Sequence, residues 1–481
     1  MASRPFLLLK PMPPLRTLVA LCVTLTACRL GYRDKLSGEL QQALAAGPAD
    51  RKLRVLVDLT AQLDLAKLSD SLAQRHLGRA QGRWLVVTAL SDVARESQSA
   101  LRLLLEQLRR DGAVESYHGF VIVNRVLVTG TARAIKALAR RPDVAAIDIE
   151  SVPQATVLAA RTADPRGPPG APWWAVRAVG ADRAWRRRLT GRGVVVGIID
   201  AGASAAHEQL RGNYRGGDDS WHDPTGQSAA PVDGAEGHGT SVLSAAVAQN
   251  VAGKRIGVAP GARWVACVGL PHGRYNNVAV TECADWMLTT AQPDVLINPW
   301  LLPAPGCDRS LARIVDAWRA AQILPVFAAG NNGPDAPSDA SPANYALSVG
   351  GVTQADTLVP GSGRGPNRCD GSIYPTLVAP GEDVPAAFPL TPSAYIRSRG
   401  TSIAAGLVAG AAAILLERHP DATVGDLEHA LRAGARDLGP PGPDNAFGYG
   451  ALDLPAALDS LGRFLAQKDA PDSTSEPATH R

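Results

Sequence analysis

Three polar residues stand in glycine-flanked frames along this chain. Asp200 lies in Gly-Ile-Ile-Asp-Ala-Gly, His238 in Gly-His-Gly-Thr-Ser, and Ser402 in Gly-Thr-Ser-Ile-Ala-Ala. A serine hydroxyl attacks a carbonyl only when a base takes its proton. Histidine supplies that base near neutral pH, and a buried carboxylate orients the imidazole. Glycine flanks suit segments that must approach a substrate closely. Singly, each residue has an ordinary reading: a turn aspartate, a structural histidine, a loop serine. Together they describe nucleophilic acyl transfer. A fourth residue, Asn331, stands in Val-Phe-Ala-Ala-Gly-Asn-Asn-Gly.

The surrounding sequence gives each residue an element to stand on. Val194 to Ile199 is an apolar run ending at Asp200, as expected of a buried parallel strand delivering a carboxylate at its carboxyl end. His238 precedes an apolar stretch, Val242 to Val247, that reads as a helix. Ser402 precedes an uncharged run from Ile403 to Leu416, shorter than a membrane span and suited to a buried core helix. Ser402 then sits at a helix N-terminus, where free N–H groups and the dipole favour negative charge.

In the order Asp, His, Ser, with these flanks, the chain resembles the subtilase family; chymotrypsin-like enzymes and α/β-hydrolases run in other orders. Further segments carry the likeness: Ile256-Gly-Val-Ala-Pro-Gly-Ala, Asp294-Val-Leu-Ile-Asn298, Gly363-Arg-Gly-Pro, Val378-Ala-Pro-Gly and Phe447-Gly-Tyr-Gly. The resemblance covers about Trp173 to Leu461. It implies a doubly wound, largely parallel α/β sheet and a serine endopeptidase acting on protein or peptide. It also implies Ser402 as nucleophile, His238 as general base and then acid, Asp200 as orienter, and Asn331 as oxyanion donor. Asn298, Trp300 and Gly330 are expected to line the substrate ridge. That ridge departs from the family pattern: Asn298-Pro299-Trp300-Leu301-Leu302 stands where Asn-Met-Ser-Leu-Gly is usual. Pro299 has no N–H to give a substrate strand. Ser402-Ile-Ala-Ala-Gly406 likewise replaces a run ending in proline, and Ser241-Val-Leu-Ser follows the His segment. Two other functions fit the residues, a peptide-binding module without catalysis and an acyl hydrolase. Calcium enters by resemblance alone, because the nearest loop, Asn250 to Ile256, has no carboxylate. No metal site is expected from Cys or His spacing.

The rest of the chain sets the context. It has 481 residues, 46% apolar and 20% charged, with a net charge of +4 that does not suggest nucleic acid. Basic residues precede an apolar run from Leu18 to Leu25, which reads as a secretory signal. The run ends Leu25-Thr-Ala-Cys28, similar to a bacterial lipobox. The expectation is a signal peptide over 1–27, a lipid on Cys28 and a tether over 28–50. An exported lipoprotein of the outer membrane, periplasm or cell surface follows. Residues 51–153 read as a split β-α-β-β-α-β unit similar to a subtilase propeptide, an intramolecular inhibitor. Its expected elements are strands over Lys52–Leu59 and Trp84–Leu90, a helix over Ser91–Arg110, and two strands within Phe120–Thr131. A helix over Ala132–Arg141 and a strand over Val144–Ile149 close it. A Gly/Pro-rich linker spans 154–172, where cutting would release the catalytic part. The catalytic domain is expected to span 173–463, and 464–481 to be a polar, disordered tail. Four cysteines remain after Cys28, with three possible pairings. Cys307 and Cys369, in Gly/Pro-rich loops, are the expected pair, and Cys267 is expected to be a buried thiol.

Overall fold

The structure, a computed structural model, describes residues 31–48, 50–73, 75, 77–150, 174–234, 237–303, 307, 309–333 and 343–468, and the backbone of short strands at 23–25, 154–155, 161–162 and 340–341. The expectations for Cys28 and for most of the signal and linker lie outside these residues. The chain divides into two compact units, with the main boundary in sequence after Ile149.

The first unit runs β1 (Lys52–Leu59), α1 (Arg79–Arg110), β2 (Val114–Gly119), β3 (Arg125–Thr131), α2 (Ala132–Ala139) and β4 (Val144–Ile149). Its sheet is antiparallel in the order β2-β3-β1-β4. Val55, Val57, Val126 and Val128 of the sheet are buried with Leu101 and Leu105 of α1 and Ile135 and Leu138 of α2. Two expectations fail here. Trp84–Leu90 is not a strand but the second and third turns of α1. Its β-branched residues favour a strand locally, yet Val86, Ala89, Leu90 and Val93 fall on one buried helical stripe, and packing overrides propensity. Ser91 lies inside this helix, not at its start, and its hydroxyl donates to Val87 O one turn back, at 2.7 Å. Phe120–Asn124 is likewise a turn rather than strand, with Asn124 at φ 28°. The buried Gln98 amide donates to Phe120 O at 2.9 Å, pinning that turn to α1.

The second unit is organised by a seven-stranded sheet. Its strands are β5 (Val195–Asp200), β6 (Trp221–His222), β7 (Arg263–Val268), β9 (Val295–Asn298), β10 (Leu324–Ala328), β11 (Leu347–Val352) and β12 (Leu377–Pro380). Between β7 and β9 come the short strand β8 (Arg274–Tyr275) and helix α4 (Asn277–Trp286); after β12 comes β13 (Ala394–Ser398). Every pairing in the order β6-β7-β5-β9-β10-β11-β12 is parallel. β9, β10 and β11 are buried throughout, as strands covered on both faces must be. The order reverses at β5, and Asp200 and Asn298 stand at the carboxyl ends of β5 and β9, the edge where sheets of this kind bind ligands.

Helix α3 (His238–Val247) and helix α5 (Thr401–Arg418) pack together, and α5 also lies along the sheet. α5 is long and apolar enough to cross a membrane, but 89% of it is buried inside the unit. Gly406, which replaces the family proline, has a packing reason. A Cβ there would meet Val242 O of α3 at 2.5 Å, and one at Gly410 would meet Ala246 O at 2.7 Å. Two disulfides join described residues. Cys307–Cys369 is the expected pair. Cys267 is not a thiol: it lies on β7 and bonds Cys283 of α4, a contact set by tertiary packing that spacing does not reveal.

Candidate active site

Asp200 ends β5 and is fully buried. Its Oδ2 accepts from His238 Nδ1 at 2.8 Å, and its Oδ1 accepts from Ala201 N at 2.6 Å. A carboxylate on Nδ1 holds the imidazole in the tautomer whose Nε2 serves as base. The backbone enforces this pairing. Gly239 follows the histidine, and a Cβ there would lie 1.9 Å from Gly202 O and 2.9 Å from Asp200 Cβ. Only glycine lets the start of α3 come this close to the end of β5.

Ser402 lies in the first turn of α5 and is 1% exposed. Its Oγ donates to Pro299 O at 3.1 Å. The carbonyl of Pro299 thus holds the resting hydroxyl, a role its sequence did not suggest. Asn331 follows β10 and is half-buried. Its Oδ1 accepts from Thr401 N at 2.9 Å and from Thr401 Oγ1 at 3.1 Å. Two donors on one atom identify it as the oxygen and turn the amide nitrogen the other way. Gly330, at φ 105°, donates its N–H to Thr401 Oγ1 at 3.1 Å. Below this loop, buried Tyr374 donates its hydroxyl to Ala329 O at 2.7 Å, and burial raises its pKa.

The ridge residues lie inward. Asn298 is fully buried and donates to Leu296 O at 3.2 Å. Trp300 is 2% exposed and packs edge-on to Phe327, with centroids 5.8 Å apart, and tilted against Tyr275 at 6.2 Å. Two residues escaped the sequence reading, Thr401 and Asp233. Thr401 was visible as the threonine before Ser402. Asp233 precedes the histidine frame, and its Oδ2 accepts from Thr240 N at 2.7 Å only because the loop folds back.

A calcium ion does not fit the loop from Asn250 to Ile256. Lys254 Nζ pairs there with Glu208 at 3.2 Å and lies 4.1 Å from the Tyr395 ring centre, so an ammonium already faces the nearest carboxylate. Among the described residues no group of three or more His, Cys, Asp or Glu is placed to hold a metal.

A sequence model of the subtilase family matches residues 191–450. Bacillopeptidase F of Bacillus subtilis (strain 168) is 28% identical over 447 residues, covering 83% of this chain but only 30% of that protein. Subtilisin BL of Lederbergia lenta is 32% identical over 290 residues, 59% of this chain and 97% of that protein. Serine protease AprX of Bacillus subtilis is 28% identical over 300 residues, 55% of this chain and 66% of that protein.

Proposed function

The chain belongs to the subtilase family of serine endopeptidases, and on that premise we propose that Asp200, His238 and Ser402 form its catalytic triad. The observation that carries this reading is the buried Asp200–His238 pair at 2.8 Å. Ser402 Oγ turns from Pro299 O toward His238 and gives its proton to Nε2 as Oγ attacks the substrate carbonyl. The oxyanion is held by the Asn331 amide and the Ser402 N–H, at the start of α5. The imidazolium, steadied by Asp200, then protonates the leaving amine. Water enters, loses its proton to His238 and releases the acyl group from Ser402.

Substrate lies along the ridge after β9 and against β8, near Asn298, Trp300 and Gly330. Two short pairings support a linker that follows this path. Gln154–Ala155 runs antiparallel to Arg274–Tyr275, and Arg161–Thr162 runs antiparallel to Arg397–Ser398, just ahead of Ser402. On this reading residues 51–153 are a propeptide that inhibits until the chain cuts itself within 152–172. The Ser402→Ala precursor then stays whole, whereas the native chain splits. Export as a lipoprotein anchored through Cys28 completes the proposal. Mass spectrometry of the mature N-terminus tests it, with diacylglycerol on Cys28 as the expected result.

A second reading, a peptide-binding module without catalysis, draws on the resting bond from Ser402 to Pro299 O and on the altered ridge. Hydrolysis of matched peptide amides and esters separates the readings. A peptidase cleaves both, an acyl hydrolase only the ester, and a binding module neither.

A further inference from the structure

Beside the triad lies a carboxyl group for which the mechanism has no use. Asp233 is half-buried as a residue, but its Oδ1 is shut off from solvent and has no hydrogen-bond partner among the described residues. Its Oδ2 accepts from Thr240 N at 2.7 Å. Thr240 is the third residue of α3, and the residue before the helix, Gly237, has no side chain to cap it. Gly237 cannot gain one: it sits at φ 61°, and a Cβ would lie 2.5 Å from Pro389 Cδ. Asp233 therefore supplies the capping anion from outside the helix, where the dipole favours it.

The same segment also grips the loop that follows Asp200. Ala203 N donates to Val232 O at 3.1 Å, and Ser204 N donates to Thr240 Oγ1 at 2.9 Å. Gly202, at φ 133°, leaves room for this, since a Cβ there would meet Val232 O at 2.2 Å. Three segments are thus tied together: the end of β5 with Asp200, the 231–233 loop, and the start of α3 with His238.

We propose that Asp233 is a positioning residue of the triad, which caps the helix bearing His238 and couples its own proton to that of the histidine. The proposal rests on the triad reading above. Among the described residues, two titratable groups face Asp233: Asp200 from β5, whose charge repels it, and His238 from α3, whose protonated form attracts it. Burial, with Asp200 second, pushes its carboxyl up to about 7, against the pull of the Thr240 hydrogen bonds. An ionised Asp233 favours the protonated imidazole of His238, so the two protonations are linked. The acid limb of activity is broader than one ionisation gives. Each group makes the other's proton easier or harder to hold.

The test uses the full processed chain and compares Asp233→Asn with Asp233→Ala. Asparagine can still accept from Thr240 N but carries no charge. Without a neighbouring anion the imidazolium is less stable, so His238 loses its proton at lower pH. In Asp233→Asn the acid midpoint of kcat/KM should move down by about 0.5 unit or more and narrow to a single ionisation. Asp233→Ala should show the same shift, with a lower Tm and a lower plateau kcat than Asp233→Asn, because the cap is lost as well. An Asp233→Asn profile that overlays the native one in midpoint and slope would overturn the proposal. So would Tm losses in both variants with no change in pH profile, which is what a purely structural cap gives. A native chain without activity at any pH would instead overturn the triad reading.

Discussion

The two halves of the proposed active site are built by different means. The half to which we assign proton transfer joins the end of β5 to the start of α3 through charge and close backbone contact. Asp200 bonds His238, Asp233 caps the helix, and Gly202 and Gly239 allow the approach. The half that carries the proposed nucleophile is held mainly by neutral groups. Thr401 gives two hydrogen bonds to Asn331 Oδ1, and Ser402 gives one to Pro299 O. Charges lose their partners when pH changes, whereas neutral hydrogen bonds do not. The first half should therefore set the pH response, and the second should set how well the transition state is held.

The comparison can be broken by taking one group at a time. The largest of these effects belongs to Asp200→Asn, which keeps the shape but favours the wrong imidazole tautomer. It should lower kcat about 10,000-fold, and the loss should change with pH. Asn331→Ala should lower kcat about 100- to 1000-fold, a magnitude known from this family, with little change in KM or in the pH profile. If Asn331→Ala shifted the acid limb, the division between the halves would fail.

Thr401→Ala should free the Asn331 amide to turn and cost about tenfold in kcat, the order of one hydrogen bond's worth. Thr401→Ser, which keeps the hydroxyl, should restore most of it. Each half also has its own disulfide, and these should differ least in catalysis. Cys267–Cys283 ties β7, the neighbour of β5, to α4, and Cys307–Cys369 ties the loop beyond the ridge. Loop closure over separations of 16 and 62 residues is worth about 3 and about 4 kcal/mol. Calorimetry of paired Cys→Ser variants should show both losses. Only the Cys307/Cys369 variant should also raise KM.

Much of the proposed site could be read from the sequence because its chemistry dictates residue types. Acyl transfer needs a nucleophile, a base and an orienter, and their glycine frames reflect a real steric demand, seen at Gly239. The uncharged run after Ser402 announced a buried helix, and α5 is one. What could not be read depends on the chain returning to itself. Thr401 gains its role only when Asn331 arrives from β10. Pro299 was judged by the N–H it lacks, and the structure uses its carbonyl. Asp233 lies outside the histidine frame and matters only after the loop turns back. In the first unit, the β-branched residues of Trp84–Leu90 favoured a strand until their burial stripe made them helix.

The central claim is that Ser402 is a nucleophile activated by His238 and Asp200. Labelling of the purified native chain with a fluorophosphonate probe tests it most directly, because the probe reports an activated serine whatever the substrate. The account predicts one labelled residue, Ser402. It predicts that labelling is lost in Ser402→Ala and His238→Ala while both variants stay folded. Labelling that persists in folded Ser402→Ala, or a folded, processed native chain that takes up no probe, would contradict it.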